Sequence, residues 1–224
     1  MKNNLTLDIR LQTIANYVDK CNKVADIGTD HGLIPIYLIL NGTCKEVLAC
    51  DVAKNPLMKA KSNIEAYHLE DKIKLCLTDG LLNLPLDIDT IIIAGMGGHL
   101  ISSILQNNEY KYPNLILQAN NHNDVLRKAL MELNYMIIKE KIVFCKEKYY
   151  EIIVAKKVDR IITLSDDEIK YGPINLQEKT DTFRKKYLEK LISLNKILND
   201  NQLSKEKEIE INLEIQKLQE ILKK

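Results

Sequence analysis

Short apolar segments alternate with stretches of helical periodicity between residue 5 and about residue 157. The continuously apolar segment IIIA is typical of a strand that is covered on both faces. The alternation predicts parallel βαβ units and therefore an α/β fold with a doubly wound sheet. The expected strands are 23–28, 46–51, 73–80, 89–98 and 114–120, and the expected helices are 5–18, 33–42, 55–68, 99–108 and 124–134.

Two further strands, over 135–145 and 149–157, close this region with only the residues KEK between them. Three residues cannot cross over to a parallel neighbour, so these two strands must form an antiparallel hairpin. A five-stranded parallel sheet that ends in an antiparallel pair resembles the Rossmann-like sheet of the class I methyltransferases. Dinucleotide-binding dehydrogenases, in contrast, usually continue parallel.

The character of the chain changes after residue 157. Residues 178–224 contain no Gly or Pro, and apolar residues recur at 4-3-4 spacing in two seams that flank the polar stretch NDNQLSKEK. This pattern predicts two antiparallel helices that pair as a coiled-coil hairpin. We expect a methyltransferase domain over 1–158, and a linker with a helical domain over 159–224. The seams are Tyr187, Leu191, Leu194 and Leu198, then Ile211, Ile215, Leu218 and Leu222.

Net charge narrows the choice of partner only slightly. The 32 basic and 31 acidic residues give a net charge of +1, which excludes a uniformly basic nucleic-acid binder but leaves room for a local basic patch. Five basic residues against one acid make such a patch over 182–198, namely Arg184, Lys185, Lys186, Lys190 and Lys196.

The five cysteines have no CxxC spacing, and the four histidines show no ligand spacing with them, which indicates reduced thiols and no metal site. No apolar run approaches the ~18 residues of a membrane helix, and the N-terminal residues lack the apolar core of a signal peptide. We therefore expect a cytoplasmic monomer with no membrane partner.

Acidic residues and glycines follow the predicted strands one after another. In an open parallel sheet the carboxyl ends of the strands form the edge where ligands bind. Each feature alone also suits an ordinary turn, but their joint placement favours a small-molecule site. The residues are Asp26, Gly28, Thr29, Asp30, His31 and Gly32 after the first strand, Asp51 and Val52 after the second, Asp79 and Gly80 after the third, Gly95, Met96, Gly97 and Gly98 after the fourth, and Gln118, Asn120 and Asn121 after the fifth.

The acids in this set favour one cofactor over another. A dinucleotide needs a helix N-terminus that is free to receive pyrophosphate, and Asp30 would repel it. S-adenosylmethionine carries no phosphate, and its sulfonium and ammonium groups attract carboxylates such as Asp26 and Asp30. Asp51 suits the ribose hydroxyls, and Asp79 suits the adenine amine. The site is therefore predicted to bind S-adenosylmethionine.

Several segments resemble those of the bacterial tRNA adenine-22 N1-methyltransferase family: DIGTDHGLIPIYL, ACDVAKNPLMKA, TDGL, IIIAGMGG, LILQAN and KYYEIIVA. The opening helix LDIRLQTIANYV and the coiled-coil appendage fit that family too, so the resemblance spans essentially the whole chain. The most specific segments are DxGTDHG and GMGG, because many amino methyltransferases carry Asn/Asp-Pro-Pro-Tyr/Phe in place of GMGG. One departure is Ala119, where proline is expected before Asn120.

The resemblance implies methyl transfer from S-adenosylmethionine to N1 of an adenine in tRNA. Adenine N1 has an in-plane lone pair, so the reaction needs alignment and an unpaired base rather than a strong general base. Asp30, His31 and Asn120 are the expected catalytic residues. Gly98 and Tyr149 or Tyr150 are expected at the base, and Arg10, Arg127 and Lys128 at tRNA phosphates.

Three alternatives stay open on the sequence alone. The first is a methyltransferase that acts on another RNA, a protein or a small molecule. The second is a nicotinamide-dependent oxidoreductase, and the third is a non-catalytic RNA-binding module with a vestigial pocket.

Overall fold

The structure is a computed structural model that describes residues 5–199 and 203–223. These residues form a seven-stranded sheet with the order β3-β2-β1-β4-β5-β7-β6. The strands are β1 (Cys21–Ile27), β2 (Cys44–Asp51), β3 (Ile73–Leu77), β4 (Thr90–Met96), β5 (Asn114–Ala119), β6 (Tyr135–Cys145) and β7 (Lys148–Lys157). The helices are α1 (Ile9–Asn16), α2 (Leu33–Leu40), α3 (Lys54–Ala66), α4 (Gly98–Gln106), α5 (Asn123–Glu132), α6 (Asp166–Tyr171), α7 (Pro173–Glu178), α8 (Asp181–Asn199) and α9 (Lys205–Lys223).

The first five strands are parallel, and the last two form an antiparallel hairpin. This confirms the sheet that the sequence predicts. The sequence does not predict which strand of the hairpin joins the sheet. In the structure β7 pairs with β5 and therefore lies between β5 and β6. The first helix is shorter than expected, since the Asp8 side chain accepts a hydrogen bond from Leu11 N and caps the helix there.

Helices cover both faces of the sheet, and alternate residues of each central strand enter one of two apolar clusters. Ile91 and Ile93 of β4 pack on one side, whereas Ile92 packs on the other. Burial on both faces explains why the central strands are continuously apolar.

The chain divides into two compact units, of which the first ends at Ile174 and the second begins at Asn175. Residues 159–174, including α6, thus belong to the first unit, whereas the sequence pattern predicts that they belong with the helical domain. No helix within 5–199 or 203–223 is both long and apolar enough to cross a membrane.

In the second unit α8 and α9 pair along the seams seen in the sequence. Tyr187 is buried on α8, and Ile211, Ile215 and Leu218 are buried on α9. Lys190 Nζ and Glu214 Oε1, 2.6 Å apart, join the two helices at their flank. Arg184 Nη1 donates to Leu222 O at 3.1 Å, so this member of the basic patch helps to close the hairpin.

Candidate active site

A cleft of about 300 Å³ opens at the carboxyl ends of β1 and β4, beside α1. Its volume lies at the lower end of the range of small-molecule sites, ~300–1,000 Å³. Three segments that are far apart in sequence line it: Arg10 and Leu11; Asp26, Gly28, Thr29, Asp30, His31, Leu33 and Ile34; and Ala94 and Gly95.

The turn after β1 shapes the floor of this cleft. Gly28 has φ 76°, and its N–H donates to Cys50 O at 2.8 Å, which anchors the turn on the end of β2. A Cβ at Gly28 would collide with Met96 Cε, so the turn and the end of β4 are in direct contact. Only glycine meets both requirements here, a left-handed backbone and no side chain.

Asp26 is the buried acid of the cleft, with 4% of its surface exposed. Burial raises the pKa of the Asp26 carboxyl to about 7; the Thr29 hydroxyl acts in the opposite direction, and the Asp51 carboxylate adds to the rise. A buried carboxyl with a raised pKa binds a cationic ligand group favourably, because the cation supplies the positive charge that stabilises the ionised form.

Asp30 and His31 lie at the exposed rim of the cleft. Asp30 Oδ2 and His31 Nε2 are 3.5 Å apart, and both side chains are about half exposed or more, at 64% and 47%. Gly32 is buried and packs on Ala60 of α3, where an added Cβ would lie 3.3 Å from the Ala60 Cβ. Gly32 therefore closes the turn, while the two preceding residues stay accessible to a ligand.

The ends of β2 and β3 extend the same edge. The Asp51 side chain accepts a hydrogen bond from Ala53 N at 2.8 Å, and Val52 is 68% exposed. Asp79 is exposed, whereas Gly80 is buried against Ile104 of α4. The structure thus leaves Asp51, Val52 and Asp79 accessible and gives Gly80 a packing role.

The end of β4 is bound to the loop after β5. A bulge between Ala94 and Met96 leaves Gly95 outside the β4–β5 ladder, with φ 81°. Gly95 O accepts from Asn120 Nδ2 at 2.6 Å, and Met96 O accepts from Asn120 N at 2.8 Å.

The glycines that follow the bulge pack against the loop after β5. A Cβ at Gly97 would lie 3.2 Å from Asn121 Oδ1, and one at Gly98 would collide with the His122 carbonyl. The GMGG segment is therefore required for packing between the loops, in addition to any role at a ligand.

The predicted tyrosines point to opposite faces of β7, as neighbours in a strand must. The Tyr150 ring lies 5.3 Å from the Arg10 guanidinium, near the cleft. The Tyr149 ring packs on Phe144 at 4.8 Å between centroids. Only Tyr150 is therefore placed with the cleft residues.

Arg127 does not meet the expectation of a phosphate contact. It is 0% exposed, with Nε donating to Glu140 Oε1 at 2.8 Å and Nη2 paired with Glu151 Oε2. A guanidinium enclosed by two carboxylates cannot reach a tRNA backbone. The prediction is wrong because the periodicity of α5 gives no sign of acids that arrive from β6 and β7.

Sequence reasoning also missed residues that the structure brings to the site. Leu11, Leu33 and Ile34 line the cleft, and helical apolar residues of this kind carry no signal beyond burial. Gln118, in contrast, is among the residues that the sequence predicts at this edge; it is a polar residue in an otherwise apolar strand, and the structure buries it fully. Among the described residues, no cluster of His, Cys, Asp and Glu has the arrangement of a metal site.

The strand order, the inserted last strand and a glycine-lined acidic cleft at the ends of β1 and β4 define the class I methyltransferases. The methyltransferase domain family matches this chain over residues 7–153.

Curated and solved relatives narrow the class. The tRNA (adenine(22)-N(1))-methyltransferase of Bacillus subtilis (strain 168) is 36% identical over 198 residues, which cover 84% of this chain and 83% of that protein. The crystal structure of the B. subtilis m1A22 tRNA methyltransferase TrmK has a TM-score of 0.84 and 31% identity, covering 98% of this chain and 100% of that one. TrmK of M. capricolum, solved with S-adenosyl-homocysteine, has a TM-score of 0.87 and 31% identity, covering 97% and 98%. This chain belongs to the tRNA (adenine(22)-N(1))-methyltransferase family.

Proposed function

We infer that this enzyme transfers the methyl group of S-adenosylmethionine to N1 of adenine 22 in tRNA. The observation that carries the inference is the cleft at the ends of β1 and β4, with the buried Asp26 and the turn at Gly28, in a chain of this family. When bound, S-adenosylmethionine supplies an electrophilic methyl group on a sulfonium.

The residues of the cleft suit this cofactor in charge and shape. Asp26 and Asp30 would hold its cationic groups, and Gly28 and Gly95 would permit close approach of the backbone. Asp51 and Val52 would bind the ribose, and Asp79 the adenine amine, with Thr29, Gly32, Gly80, Met96 and Gly97 shaping the turns around them. Arg10 lies beside these acids at the same cleft.

On the substrate side the protein must align the base rather than remove a proton. Adenine N1 already carries its lone pair, so catalysis requires an extruded base held in line with the methyl group. Asn120 lies at the exposed edge between the two loops, and Tyr150 lies nearby on β7. We propose that Asn120 binds the Watson–Crick edge, with Asp30, His31, Gly98 and Tyr150 completing the pocket.

A second RNA contact is proposed on the helical hairpin. Lys185 and Lys196 are exposed on α8, and lysines of this kind bind phosphates without regard to sequence. Charge reversal at both positions should weaken tRNA binding, mostly at low salt, while leaving affinity for S-adenosylmethionine unchanged.

Methylation of defined transcripts tests the function. With labelled S-adenosylmethionine, an unmodified tRNA carrying adenine at position 22 should gain 1-methyladenosine there, and the same transcript with guanine 22 should not. Label elsewhere in the RNA, or none, would contradict the function. A thermal shift with NAD but not with S-adenosylmethionine would favour the oxidoreductase instead.

We propose that the protein acts in the cytoplasm, because its tRNA substrate is found there. A monomer, as expected from the sequence, should give a single species of 25.7 kDa in light scattering.

A further inference from the structure

A chain of hydrogen bonds runs from α1 across the end of β5 to the bulge near the end of β4. Arg10 Nη1 donates to Gln118 Oε1 at 2.6 Å, Gln118 Nε2 donates to Asn120 Oδ1 at 3.1 Å, and Asn120 Nδ2 donates to Gly95 O at 2.6 Å. We call this chain the amide relay. Gln118 is fully buried within it, whereas Asn120 is exposed at its outer end.

The two ends of the amide relay fix its direction. A guanidinium has only donors, and a backbone carbonyl has only acceptors. Rotating either amide by half a turn would set two donors or two acceptors against each other. Gln118 and Asn120 therefore each have one satisfactory orientation, and the half-buried donor at Arg10 determines that of Asn120.

This orientation matters for a base that reacts at N1. The neighbouring N6 amine carries N–H donors, so an amide oxygen can hold the base and leave the N1 lone pair free. An amide N–H directed at N1 would occupy the lone pair that must attack. The amide relay retains one N–H of Asn120 on Gly95 O and leaves the second lone pair of Oδ1 available.

We propose that Gln118 and Arg10 are positioning residues that hold Asn120 in the amide orientation required for N1 methylation. The proposal rests on the inferred function, and it adds a role for Arg10 inside the protein in place of a phosphate contact. Gln118 acts through Asn120 and does not itself touch the base.

Gln118→Glu tests the amide relay with a change of almost no volume. The new carboxylate still accepts from Arg10 but has no donor for Asn120, so Asn120 must turn its N–H inward and its oxygen towards Gly95 O. We expect kcat on a tRNA transcript to fall about tenfold or more, with the calorimetric Kd for S-adenosylmethionine unchanged.

Gln106→Glu, at the exposed end of α4, is the matched control and should keep wild-type kcat. Gln118→Met removes both hydrogen bonds without adding charge and should also lower kcat. It provides the test if the carboxylate variant does not fold.

A double-mutant cycle separates positioning from packing. In an Asn120→Ala background, Gln118→Glu or Gln118→Met should lower kcat no further, because no amide remains to be oriented. An equal loss in both backgrounds would overturn the proposal, as would wild-type kcat in both single variants at position 118. Failure of the inferred function is distinguishable: the wild-type protein itself would leave N1 of adenine 22 unmethylated, and the proposal would fall with it.

Discussion

Two buried ionic sites in the first unit differ in how their charge is balanced. Arg127 is enclosed by Glu140 and Glu151, and its Nη1 also reaches the Ile169 carbonyl of α6 at 3.2 Å. Asp26 is equally buried, yet the charged group that acts on it, Asp51, is negative too.

The difference separates a structural charge from a functional one. A buried charge that finds its partners within the fold holds segments together, and removing one partner is strongly destabilising. A buried charge that lacks them is kept at a cost in stability, which a ligand of opposite charge offsets. The two arginines expected at tRNA phosphates also differ, since Arg127 is neutralised internally whereas Arg10 faces the cleft and donates to Gln118.

The largest change in stability is expected at Arg127, whose charge is balanced by Glu140 and Glu151. Arg127→Met leaves two carboxylates buried without their cation and should lower the free energy of unfolding by about 3–5 kcal/mol. Urea denaturation measures this, and Lys128→Met, at the exposed neighbouring position, should stay close to wild type. A loss no larger than that of the control would show that the cluster is not structural.

Asp26→Asn should raise the free energy of unfolding, whereas Arg127→Met should lower it. Because the folded protein raises the pKa of Asp26 to about 7, ionising it opposes folding between the unfolded value of ~3.9 and pH 7. The variant should therefore gain stability over wild type as pH rises through this window, by up to roughly 4 kcal/mol above pH 7, taking ~1.4 kcal/mol per unit.

The same substitution should weaken cofactor binding. Wild-type affinity for S-adenosylmethionine should fall as pH drops below about 7, because binding requires the ionised carboxyl. The variant should bind more weakly at pH 8 and show a flatter pH profile in calorimetry. Equal profiles for the two proteins would remove Asp26 from the cofactor site.

The smallest effect concerns the helix whose carbonyls contact Arg127. Ser165 and Glu168 form a capping box at the start of α6, and Ser165→Ala should cost about 1 kcal/mol of stability. Ser62→Ala, within α3 and exposed, is the control. If α6 is held through Arg127, the Ser165 effect should shrink in an Arg127→Met background; strict additivity would argue against this coupling.

The sheet was predictable because its signals are local. Strands covered on both faces are apolar throughout, and a three-residue connection permits only a hairpin. The cleft residues after β1 were predictable for a similar reason, since strand ends meet at one edge. Their individual roles stay predictions.

What the sequence did not reveal depends on contacts between distant segments. Arg127 lies in an ordinary helical pattern, and the two acids that bind it come from the hairpin of β6 and β7. The amide relay joins Arg10 to Gln118 across more than a hundred residues, and no periodicity encodes such a contact. The insertion of β7 next to β5 is equally non-local, because either hairpin strand satisfies the local pattern.

The late position of β7 bears on how the protein is made. Until residues 148–157 have left the ribosome, the outer side of β5 displays unpaired backbone groups on an apolar strand, a surface that invites association between nascent chains. Translation that pauses or stops before that point would yield a fragment with the whole cofactor turn present and an unprotected flank.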